Sequence, residues 1–156
     1  MRASLIPETD YETDLYAWTQ HQAALLRARR ADAIDWDNLA EEIESLGNRD
    51  WRELDSRIVV IVQHLLKWQF QPELRGASWR KTLRTQRREI EKLVKQSPSL
   101  RRQVSDMVSD AYRHARQNAV DETGLRPGAF PPTCPYTPEQ VLDSEFVPDA
   151  PSGESL

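Results

Sequence analysis

The sequence predicts an all-α fold: a helical bundle of about four main helices, with a long central helix and a proline-rich C-terminal wrap. Apolar residues recur at three- and four-residue steps over long stretches, which is the period of one helix face. Proline and glycine gather at a few joints instead of interrupting those stretches. No useful length of chain alternates apolar and polar residues as a half-buried strand does.

The first helix is expected from Thr9 or Asp10 to about residue 30. Thr9 with Glu12 has capping-box spacing, and Asp10, Glu12 and Asp14 lie at the positive end of the dipole. Tyr11, Leu15, Trp18, Gln22, Leu25 and Leu26 form its apolar face, and Arg27, Arg29 and Arg30 close it. The second helix is expected over 36–70, with Asp35 as its cap and a stripe of Trp36, Leu39, Ile43, Leu46, Leu54, Ile58, Ile61, Leu65 and Trp68. Gly47 and Asn48 interrupt the stripe, and glycine costs about 1 kcal/mol inside a helix. With no proline there, a continuous bent helix is the reading, and Pro72 ends it near Phe70.

Ser78 is the expected cap of a third helix to about residue 96, carrying Trp79, Leu83, Ile90, Leu93 and Val94. Gln86 and Arg87 occupy a turn of that stripe where hydrophobes belong. Ser97–Pro98 marks the start of a fourth helix, a capping hydroxyl before a first-turn proline. It continues through Val104, Met107, Val108, Ala111, Tyr112, Ala115 and Ala119 to a C-cap at Gly124. Five prolines between Arg126 and Pro138 forbid a helix there, while Phe130, Cys134 and Tyr136 call for an ordered wrap. Thr137–Pro138–Glu139–Gln140 then restarts a short helix as a capping box, pinned by Val141 and Leu142. Residues 1–148 are expected to form a single helical domain, with a disordered tail over 149–156.

Charge is segregated along the chain. Arg75 to Arg102 carries ten Lys or Arg against two Glu, whereas the segments on either side are each acidic by six, and the whole is at −4. Such a basic block between acidic ones can serve an anionic ligand or be matched internally. The stripe Arg80, Arg84, Arg88, Lys92 and Lys95 could follow phosphates, but a sequence pI near 5.4 disfavours nucleic acid as a partner. A single cysteine, Cys134, excludes an internal disulfide and a thiolate metal cluster. The polar start lacks the apolar region of a signal peptide, and no run is long enough to span a membrane, so the expected location is the cytoplasm.

Catalytic signatures such as HExxH, GxSxG, CxxC and a phosphate-cradling glycine loop do not occur. Glu41 and Glu44 share a helix face and are the metal-ligating candidates, although a solvated acidic face accounts for them as well. Glu42, His64 and Arg87 are the catalytic candidates: a carboxylate, an imidazole near neutral pKa, and a cation near the core line that could reach Glu42. His64 also reads as a structural histidine, and Cys134 as a small buried hydrophobe. No cofactor is expected.

The segments YETDLYAW (11–18), DWDNLAEEIESLG (35–47), HLLKWQFQP (64–72), SWRKTLRTQRREI (78–90), SPSLR (97–101), AYRHAR (111–116), ETGL (122–125) and FPPTCPYTPEQVL (130–142) occur in this order. In them the chain resembles a bacterial family called domain of unknown function, family twenty-nine, from Tyr11 to about Pro148. The resemblance implies a compact helical protein and supplies no mechanism. It directs attention to Glu41, Glu42, Glu44, His64, Lys67, Trp68, Trp79 and Arg87. The expectation for function is a non-enzymatic helical interaction or regulatory module, acting as a homodimer or on a protein partner. The alternative is an acid–base or metal-assisted hydrolase with a Glu/His/Arg site.

Overall fold

The structure, a computed structural model, describes residues 10–151. It is all-α: five α-helices are joined by short 3₁₀ turns, and the described residues contain no strand. The helices are α1 (Leu15–Arg27), α2 (Trp36–Phe70), α3 (Ala77–Gln96), α4 (Val104–Thr123) and α5 (Pro138–Leu142). The chain divides into two compact units, the first ending at Arg49 and the second beginning at Asp50. The helix α2 contributes to both and passes unbroken through Gly47.

In the first unit, α1 starts later than its periodicity suggests. The chain from Asp10 to Thr13 forms a turn, in which the Thr13 and Asp14 amides donate to the Asp10 carbonyl at 3.3 and 3.1 Å. Asp14 is the cap, accepting from the Ala17 amide at 3.0 Å. Two aspartates compete for one helix start, and the later one prevails. The turn leaves the Tyr11 ring edge-on to Trp18, with centroids 4.9 Å apart. The expected cap at Thr9 lies outside the described residues. Asp35 does cap α2: its carboxylate accepts from the backbone of Asn38, three residues on.

The second unit holds the main hydrophobic core. Leu54, Ile58, Ile61, Val62, Leu65 and Leu66 of α2 pack with Leu83, Ile90, Leu93 and Val94 of α3 and with Val104, Met107, Val108, Ala111 and Ala115 of α4. Two expected caps differ. The helix α3 begins at Ala77 with extended Gly76 before it, so Ser78 lies in the first turn instead of capping. Pro98–Gln103 is a 3₁₀ turn, and the α-helix begins only at Val104. Ser97 makes no side-chain cap, because in the tighter turn the Leu100 amide, three residues on, donates to the Ser97 carbonyl at 3.0 Å.

The C-terminal wrap is ordered as its aromatic residues predict. Gly124 ends α4 in the left-handed region at φ 69°, a geometry that disfavours a Cβ. Phe130 and Tyr136 are buried, with Phe130 edge-on to Phe70 at 5.3 Å. Tyr136 donates to Gln69 Oε1 at 2.7 Å, and Tyr112 donates to the Pro131 carbonyl. Thr137 and Gln140 complete the expected capping box of α5, and Val141 is buried. Of the expected tail, residues 152–156 lie outside the described residues.

Candidate functional site

The acidic knot of α2 sits in the first unit. Glu41 and Glu44 are exposed, whereas Glu42 is half-buried and accepts from the Tyr11 hydroxyl at 2.6 Å. The neighbouring carboxylate favours the protonated phenol, so the Tyr11 pKa is pushed up to about 12. Beside this pair, Asp35 accepts from Trp18 Nε1 at 3.0 Å and Asn38 Nδ2 at 2.9 Å, and its amide donates to buried Gln22 at 2.9 Å. The Asn38 bond is the largest influence holding the Asp35 carboxyl below its ordinary value, with Trp18 helping and burial opposing. These bonds join α1 to the start of α2. Among the described residues no three His, Cys, Asp or Glu side chains converge as metal ligands.

His64 lies in the second unit, half-buried on α2. Its Nδ1 is 2.8 Å from the Val60 carbonyl, so that nitrogen carries the proton and donates. Burial is the main reason its pKa lies below the ordinary histidine value, with Lys67 adding to the effect. The Lys67 ammonium bonds Glu122 Oε2 at 2.6 Å and lies 4.7 Å from the centre of the Trp79 ring. Trp68 is buried, and the guanidinium groups of Arg75 and Arg80 lie 5.3 and 5.0 Å from its ring centre. Arg75 Nε also donates to the Trp68 carbonyl at 2.7 Å. Thus His64, Lys67, Trp68 and Trp79 gather where α2 gives way to α3. The contacts of Lys67 with Trp79, and of Arg75 and Arg80 with Trp68, fasten that junction.

Arg87 has a different partner from the one its position suggested. Instead of meeting Glu42, it donates to backbone carbonyls of the wrap: Val141 at 2.9 Å, Phe146 at 2.8 Å and Gln140 at 3.1 Å. Two of those carbonyls end α5, where a short helix leaves acceptors unpaired and favours a cation. Burial draws the Arg87 pKa below the ordinary arginine value, and Asp143 and Glu145 oppose this. Arg87 was legible as a buried cation because it replaced a hydrophobe in the α3 stripe. Its carbonyl partners lie more than fifty residues away and leave no local signal.

Two clefts open on the second unit. One, of about 650 Å³, runs between α3, the start of α4 and α5. Arg84, Arg87, Arg88 and Arg101 line it above Ile90, Val94 and Val104. The other, of about 630 Å³, brings Cys134 and His114 to one opening together with Tyr112 and Arg116. That histidine carried no spacing signal in the sequence. Burial pushes the Cys134 thiol pKa up, and its Sγ lies 3.5 Å from the Tyr136 carbonyl, so the thiol stays protonated, unlike an activated nucleophile. Glu41, Glu42, Glu44 and His64 line neither of these clefts.

A family model described as "Domain of unknown function DUF29" matches residues 11–147 of the chain. No curated protein and no solved structure matches it.

Proposed function

The chain belongs to the DUF29 family, and from that premise we propose that it is a non-enzymatic helical interaction or regulatory module that works by self-association. The observation that carries this reading is an apolar row on the first half of α2. Trp36, Ile43 and Leu46 are 58%, 61% and 54% exposed, although large side chains at such spacing normally find cover. With Leu39 between them, they follow the three–four step of a helix–helix seam. A second copy offers an identical seam, so a two-fold pair covers both at once. The Glu42–Tyr11 and Asp35–Trp18 bonds support the same view, because they commit polar groups of this region to holding α1 and α2 together.

Light scattering across a range of protein concentrations tests the proposal. The expected result is a reversible dimer that Ile43→Glu and Leu46→Glu dissociate while helix content stays constant. Both sites are exposed, so these changes leave the core intact. A protein that remains monomeric at every concentration, and captures no protein partner at low or moderate salt, would count decisively against this function.

A further inference from the structure

The cations of α3 that line the cleft beside α5 are all arginines, whereas Arg80 of the same helix lies over the Trp68 ring. Arg84, Arg87 and Arg88 line the cleft beside α5, and Arg101 joins them from the turn before α4. Lys81, Lys92 and Lys95 of the same helix do not line it. Simple solubility would be served by either residue. A guanidinium, however, presents a planar fork that pairs two oxygens of one oxyanion, which an ammonium cannot match. Among the described residues, Arg84, Arg87 and Arg101 form no ion pair, and Arg88 reaches only Glu89 at 3.8 Å on a largely exposed side chain.

The hydrogen bonds of Arg87 go to carbonyl oxygens, while Asp143 and Glu145 act on its charge only through space and form no ion pair with it. Glu91, Glu139 and Asp143 also line the cleft, which leaves the arginines ahead by one charge. Beneath the charges the floor is apolar, formed by Ile90, Val94 and Val104, all buried. A volume of about 650 Å³ falls in the range of small-molecule sites.

We infer that this cleft binds a small organic oxyanion, a phosphate monoester or carboxylate with a short apolar body. The oxyanion sits against Arg84, Arg88 and Arg101, and the apolar body rests on Ile90, Val94 and Val104. This goes beyond the self-association reading, since the row on α2 takes no part in it.

The test uses the full chain and follows its amide resonances while phenyl phosphate, benzoate, inorganic phosphate and benzyl alcohol are titrated in turn. Saturable shifts in α3, α5 and the 98–105 segment are expected with phenyl phosphate or benzoate, and weaker ones with inorganic phosphate or benzyl alcohol. Which of the first two binds tighter identifies the oxyanion. Arg84→Glu with Arg101→Glu should weaken binding about tenfold or more, since each removes a charge-assisted bond. Lys81→Glu with Lys95→Glu changes the net charge equally and should leave binding within about twofold, because those charges lie outside the cleft. All four positions are exposed, so the variants fold. Shifts that never saturate, equal losses in the two double variants, or equal affinity for inorganic and phenyl phosphate would each overturn the inference.

Discussion

A guanidinium buried with three carbonyls as its hydrogen-bond partners is held mainly by geometry, since Asp143 and Glu145 only partly offset its lost hydration. Arg87 therefore acts as the bolt of the C-terminal wrap. Arg87→Met keeps an unbranched stem but leaves the carbonyls of Gln140, Val141 and Phe146 without their donor. The expected loss is about 3 kcal/mol or more, read from urea unfolding, with new proteolytic cleavage in the wrap. A loss below about 1 kcal/mol would show that the carbonyls find other donors. His64 sets a pH dependence. Its folded pKa is lowered while the unfolded imidazole titrates near 6.5, so below that pH the unfolded chain binds more protons and stability falls on acidification. Glu122, whose carboxyl is held low by Lys67, adds a loss of the same sign only at more acid pH, where its carboxylate protonates. His64→Gln should flatten the fall in urea midpoint between about pH 7 and 5. An unchanged slope in that variant would place the titrating group elsewhere.

At the scale of elements, helix starts were decided by competition and helix interiors by periodicity. Asp10 and Asp14 are both competent caps for α1 and Asp14 takes the role, while Asp35 caps α2 as its position predicts. Gly47 shows the opposite case. Nothing lies within 4 Å of a Cβ built there, and it does not take a positive φ, so no contact within the chain requires glycine. Gly47→Ala should stabilise the monomer by about 1 kcal/mol, as seen in the thermal midpoint. Destabilisation would mean that α2 bends there in a way alanine resists. In contrast, Gly124 is held at φ 69°, so the same substitution there should cost stability.

On the whole-molecule scale the two compact units are unequal. The buried hydrophobic side chains before Asp50 are Trp18 and Ile34 among the described residues, while the second unit carries the remainder of the core. A core of that size does not hold a chain of about fifty residues folded by itself. We accordingly propose that residues 1–148 are one folding domain despite the division, with α2 as the shared element. A fragment ending at Arg49 should show no cooperative melt by circular dichroism. A sharp transition in that fragment would make the first unit a domain in its own right.

Local physics alone determined the all-α class, the bounds of α2, the Gly124 cap and the capping box of α5. Each depends on neighbours three or four residues apart, and such spacings are visible in a string of letters. The position of Arg87 inside the core was legible for the same reason, as a cation standing in an apolar stripe. Tertiary structure decided what that cation does, because its three acceptors arrive from a segment beyond α4. It also decided that Glu42 answers Tyr11, that Lys67 answers Glu122, and that Arg101 shares a cleft with Arg84 and Arg88. These pairings follow from which faces meet when helices pack. Charge pattern shows only that partners of each sign exist, and the chain's path through space chooses among them.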